Sequence, residues 1–185
     1  MSGPALGLLE VASIARGHVV ADALVKKAPV RLVETAAVSP GKYLVVLDGE
    51  VADVEEAMAE GARVAGPHLL DRLLLPNADP QLAPALAHQF TVREIDSLAV
   101  IELVTASSAL RAADAAVKAA DVTLVFLRVA RGIGGKAYFT LSGALESVEA
   151  AVLAATSVAG DGLVVDAQII ARPHPEFLAQ LASQP

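Results

Sequence analysis

Neither cysteine nor tryptophan occurs in this 185-residue chain, and aromatic residues make up only 3% of it. Without cysteine there are no disulfides, thiolate nucleophiles or cysteine-ligated zinc or iron–sulfur centres, which fits a reducing compartment. So few aromatics remove the stacking platforms on which single-stranded nucleic acid is held. Basic residues are also short, 14 against 21 acidic ones for a net charge of −7, and that balance opposes binding to a phosphate backbone. No basic segment precedes an apolar run at the N-terminus, so no signal peptide is expected. No apolar run reaches the roughly 18 residues of a spanning helix, so the chain reads as a soluble intracellular protein. What is present is aliphatic: 55% of residues are apolar and the mean hydropathy is +0.56. The core must therefore be close-packed Ala, Val and Leu. A chain this short leaves much of its surface uncovered when alone, so the apolar surplus predicts burial between subunits.

The stretch Arg131-Gly132-Ile133-Gly134-Gly135-Lys136 looks like a phosphate cradle. A nucleotide-hydrolase loop needs a glycine five residues before its Gly-Lys pair and Ser or Thr just after it. Ala130 and Ala137 stand at those places, so the motif fails at both ends and the glycines need another reason.

That reason lies in an internal repeat. "LLEVASIARGHVVADALVKKAPVRLV" (8–33) resembles "VIELVTASSALRAADAAVKAADVTLV" (100–125), with Glu10 matching Glu102, Asp22 matching Asp114 and Lys26 matching Lys118. Beyond one loop the spacing grows by two residues: Gly41-Lys42 then matches Gly135-Lys136, Gly49 matches Gly143, and Ala65-Gly66 matches Ala159-Gly160. The two copies therefore differ in length inside the loop that holds the glycines. Pro76, Pro80 and Pro84 mark the end of the first copy and a linker, which puts the domains at 1–92 and 93–185.

Within each copy, strand-like and helix-period runs alternate. Apolar strands open the copies at "ALGLLEVAS" and "LAVIELVTA", and helices are predicted at about 17–28 and 108–120. β-rich runs follow at "VRLVETAAV" and "KYLVVLD", and again at "VTLVFLRVA" and "KAYFTLS". A second helix puts Val51, Val54, Met58, Gly61 and Ala65 on one face, and Leu145, Val148, Val152, Ala155 and Ala159 repeat that spacing. Last strands at "LLDRLLL" and "LVVDAQIIA" precede short helices at about 81–88 and 175–182. The order βαββαβ is a split βαβ unit, so the predicted fold is α+β: two tandem ferredoxin-like domains, each a four-stranded antiparallel sheet covered by helices. "VSPG" and "RGIGG" fall at the tips of the central hairpins.

These elements, in this order and twice over, resemble the bacterial microcompartment shell domain, and the whole chain is similar to its tandem, trimer-forming members. The resemblance is carried by "ALGLLEV", "AADAAVKAADVTLV", the glycine-bearing tip, "SGALESVEAAV" and "IIARPH". It implies a structural tile in which three chains make a pseudohexamer, joined edge to edge with hexameric and pentameric shell proteins around an enzyme core. The strand order is the direct one, not the circularly permuted one. The resemblance places Val38, Ser39, Pro40 and Gly41, alternating with Gly132, Ile133, Gly134 and Gly135, around a central pore. It places Lys26 and Lys118 at tile edges together with Arg172, whose counterpart in the first copy is Asn77. It also implies no catalysis and no cofactor, and a shell location in the cytoplasm.

The residues leave rivals open. Split βαβ domains also build small metabolite-binding regulators, dimeric or trimeric, which need a concave cleft with convergent polar groups. An enzyme using the matched Glu10 and Glu102 is a third possibility, but no nucleophile or base accompanies them. A hydrogen-bonded or interface carboxylate is the plainer expectation. His18, His68, His88 and His174 show no metal-ligand spacing, and Ser13 or Ser39 has no nucleophile elbow around it.

Overall fold

A serine and a threonine decide where the first helix of each copy begins. In the computed structural model, which describes residues 5–87 and 95–182, Ser13 caps α1 (Ile14–Lys27) by accepting the Arg16 N–H at 3.2 Å. Thr105 caps α4 (Ala106–Ala119) in a reciprocal box with Ser108. Each cap satisfies an amide that the helix itself leaves unpaired. Both helices consequently start two or three residues earlier than apolar periodicity alone predicts.

The first domain runs β1 (Ala5–Val11), α1, β2 (Arg31–Val38), β3 (Lys42–Gly49), α2 (Val51–Ala65), a 3₁₀ turn at Gly66–His68, β4 (Leu69–Leu75) and α3 (Leu82–Leu86). The second runs β5 (Ser97–Leu103), α4, β6 (Thr123–Val129), β7 (Ala137–Gly143), α5 (Leu145–Val158), β8 (Val164–Ala171) and α6 (Pro175–Ala182). Both sheets are antiparallel, in the order β2-β3-β1-β4 and β6-β7-β5-β8. This is the doubled α+β arrangement expected from the repeat. The domain boundary expected at 92/93 and His88 lie outside the described residues.

Cross-strand register sorts the apolar residues. Leu9 opposes Val45 and shares its face with Val11 and Tyr43, which pack under α1 and α2 against Val20, Leu24, Val54 and Met58. Gly17 permits the close approach of α1 to β3, since a Cβ there would lie 2.3 Å from the Tyr43 side chain. On the other face, Leu8 opposes both Val46 and Leu73. These residues continue through Leu82 and Leu86 of α3 into the core of the second domain, around Ile101, Leu110, Leu127 and Phe139. One apolar cluster thus crosses from domain to domain. At roughly 25 cal/mol per Å² of apolar area, that shared burial is what holds the two copies in fixed relation.

Candidate functional site

Two places gather polar groups from both domains: the hairpin tips and the seam along α3. In the first tip, between β2 and β3, Gly41 donates its N–H to the Val38 carbonyl at 2.9 Å, with φ at +98°. The longer second tip holds Gly132, Gly134 and Gly135 at φ of +72°, +68° and +87°. L-residues rarely take that left-handed conformation, which gives the glycines of this loop a conformational reason independent of any phosphate motif. The tips are neighbours: a Cβ on Gly135 would lie 3.0 Å from the Ser39 carbonyl oxygen. The structure therefore brings together the two loops that sequence reasoning had matched 94 residues apart.

Directly after each tip glycine comes a lysine that pairs with the repeated glutamate. Lys42 lies 2.8 Å from buried Glu10, and Lys136 lies 2.9 Å from the more exposed Glu102. Glu10 and Glu102 are thus counter-ions at the roots of the tips, each within its own domain. A further ion pair crosses between domains. Arg131 in the second tip meets Glu34 of β2 at 3.1 Å. Burial raises the Glu34 pKa above its ordinary value, against the opposing pull of Arg131 and Arg128. Glu34 and Arg131 were not legible as a pair, because Glu34 lies in a strand of one copy and Arg131 in the longer loop of the other, with no matching pair at the equivalent positions.

Along the seam, Asp114 of α4 accepts the Asp79 N–H at 2.8 Å and pairs with Lys118 at 2.6 Å, while Lys118 also donates to the Asn77 carbonyl. Ser107 donates to Asp71 of β4. Gln81, at the start of α3, accepts the Leu124 N–H at 2.9 Å and donates to the Val122 carbonyl at 3.3 Å. The structure therefore joins two of the four expected edge residues, Lys118 and Asn77, where one domain meets the next. Among the described residues the other two side chains are not joined across the domains: Lys26 pairs with its helix neighbour Asp22 at 2.5 Å, and Arg172 sits exposed in the left-handed region at φ +49°.

Comparison with known proteins follows the same outline. The family model of the BMC domain matches twice, over residues 5–78 and 97–173. The chain belongs to the bacterial microcompartment shell-protein family. This shell protein is 39% identical over 178 residues to the bacterial microcompartment shell protein PduT of Citrobacter freundii, covering 96% of this chain and 97% of that one. A microcompartment protein from Desulfitobacterium hafniense is 40% identical and superposes with a TM-score of 0.93, covering 96% and 99% of the two chains. A fused permuted hexameric shell protein from the RMM microcompartment, MSM0275, reaches a TM-score of 0.62 at 24% identity over 84% and 83%, and that likeness concerns the fold alone.

His18 packs against Tyr43 with ring centroids 4.6 Å apart, and His174 Nδ1 accepts the Glu176 N–H at 3.2 Å. No group of three or more metal-ligating side chains occurs among the described residues, and no helix among them is long and apolar enough to cross a membrane. A depression of about 330 Å³ between α2 and β4 is lined by Glu55, Met58, Ala59, Arg72 and Leu74. One carboxylate and one guanidinium on an open wall are not the convergent polar set that a regulator's cleft requires.

Proposed function

We propose that three copies of this shell protein close into a flat six-domain tile, a homotrimeric pseudohexamer, whose hairpin tips surround a pore for small polar metabolites. The structural shell role follows from family membership. The supporting observation for the ring is that the chain displays one finished seam and the two halves of an unfinished one. Asp114, at the finished seam, has a side chain 11% exposed, whereas its counterpart Asp22 is 58% exposed. Val117 is 8% exposed and its counterpart Val25 is 42%. On the opposite half, Leu82 is fully buried while its counterpart Phe177 is 40% exposed. A heterologous contact whose rotation closes generates a ring, and two quasi-equivalent domains per chain make three chains the natural count.

In that tile Val38, Ser39, Pro40 and Gly41 alternate with Gly132, Ile133, Gly134 and Gly135 around the axis. Backbone N–H groups of left-handed turns face the passing solute there, favouring polar or anionic species without holding them tightly. Lys26, Lys118, Asn77 and Arg172 lie toward the rim, where hexameric and pentameric shell proteins join the tile in the microcompartment shell. The chain itself catalyses nothing. Sedimentation of the purified chain in dilute solution tests the ring. A single species near three times 18.9 kDa is expected, and a monomer or dimer would remove the axis on which a pore depends.

A further inference from the structure

Gln81 closes the seam inside the chain by gripping the edge of β6 on both sides of Thr123, accepting from Leu124 and donating to Val122. A neutral amide does both, whereas an ionised carboxylate only accepts. Leu75 and Ile170 oppose Leu6 and Leu98 in their sheets, fixing the offset of this part of the copies at 95 residues. The counterpart of Gln81 is therefore Glu176, and that of Leu82 is Phe177. Both are exposed at the start of α6.

The surface that would receive them has changed in step. Leu32 occupies on β2 the place of Leu124 on β6, with the same register shift just beyond it. Thr123 is replaced by Arg31, whose side chain is 70% exposed while its Nε donates to Asp48 at 3.0 Å. A guanidinium carries five N–H donors, so Arg31 can hold Asp48 and still serve a second carboxylate. Elsewhere on the same edge, Asp166 stands in the place of Asp71, while exposed Arg16 takes that of Ser108, beside Ser107 which holds Asp71. The amide donor lost at Glu176 is thus matched by the cation Arg31 on the opposite surface, and the hydroxyl lost at Ala15, the counterpart of Ser107, by the cation Arg16 beside it.

We infer that the ring-closing seam between two copies is charge-paired where the seam inside the chain is neutral: Glu176 of one copy accepts the Leu32 N–H and pairs with Arg31 of the next. Phe177 seats beside it as Leu82 does within the chain. This rests on the three-chain tile proposed above. The two kinds of seam then respond differently to salt. The covalently joined seam is indifferent, and the ring-closing seam weakens as ions screen it.

The test is sedimentation equilibrium of the full chain at about 0.1 M and about 1 M sodium chloride, between which the screening length falls from roughly 10 to 3 Å. For the wild type, the dissociation constant of the trimer should rise on the order of tenfold with salt. Glu176→Gln restores the neutral grip of Gln81, so its trimer should persist and lose the salt dependence. Glu176→Lys should dissociate into folded monomers with an unchanged circular dichroism spectrum, because Glu176 is exposed within its own chain. A wild-type trimer indifferent to salt, or a Glu176→Lys trimer as tight as the wild type, overturns this seam and leaves the tile standing. A wild type that is monomeric overturns both.

Discussion

Truncating Leu82 and Phe177 to alanine should have opposite consequences, although the two residues occupy matching places. Leu82 is fully buried in the cluster shared by the domains, so Leu82→Ala removes three buried carbons from a site with little room to collapse. Such changes cost about 2–5 kcal/mol, and we expect about 3 kcal/mol in urea unfolding of the single chain. Phe177 is 40% exposed and should contribute little to the chain alone. Of a phenylalanine area of about 200 Å², that fraction leaves about 80 Å² to be covered by a neighbouring copy. At roughly 25 cal/mol per Å² this is about 2 kcal/mol, or about thirty-fold in the affinity of each ring-closing seam. Phe177→Ala should thus unfold at nearly the wild-type urea concentration when dilute, yet need a markedly higher concentration to form trimers. The reasoning is refuted if Leu82→Ala costs under about 1 kcal/mol. It is refuted equally if Phe177→Ala loses monomer stability but leaves trimer affinity unchanged.

Three further outcomes follow from side chains described above. Burial holds the Glu34 pKa above its ordinary 4.5, so the folded state binds the extra proton more tightly than the unfolded one. Stability must then fall as pH rises from 4.5 through that raised value. Glu34→Gln should raise the melting temperature at pH 7 and lose the advantage below 4.5. The buried Thr140 hydroxyl finds no hydrogen-bond partner among the described residues, so Thr140→Val, of the same shape, should stabilise the chain by about 1 kcal/mol in thermal unfolding. Gly134 has φ +68° and open space around it. Gly134→Leu should therefore lower stability by only about 1–2 kcal/mol and leave the sedimentation coefficient of the trimer unchanged, while reducing solute passage through assembled tiles.

Much of this architecture is written in the repeat. Matching Glu10, Asp22 and Lys26 to Glu102, Asp114 and Lys118 implies two copies of one fold, and period-two and period-3.6 patterns supply the element order seen in both sheets. Helix starts were displaced because the capping hydroxyls of Ser13 and Thr105 lie outside the apolar periodicity. A carboxylate in an apolar strand announces that a partner exists, and Lys42 and Lys136 are those partners. The seam was not legible. Gln81 binds backbone atoms more than 40 residues away, and Lys118 reaches a carbonyl. A main-chain acceptor carries no residue identity for a pattern to reveal. The tips are a middle case: glycine marks the turns, but their adjacency through Gly135 and Ser39 needs the packing of both domains.

The apolar cluster that runs from Leu8 through Leu82 to Phe139 has a kinetic meaning as well as an energetic one. In a ring of three such chains, half of the six contacts between neighbouring domains form while each chain folds, at the millimolar effective concentrations that a short tether provides. Only the other three wait on encounters in solution. A tile built from six separate domains must collect six bodies, each losing its translational freedom, and at low abundance it stalls as partial arcs. In the three-chain ring the smallest incomplete object would already carry a third of the tile, with adjacent tips in contact. In a ring of that kind, carrying two domains on one chain would shorten nucleation of the tile rather than strengthen the finished one.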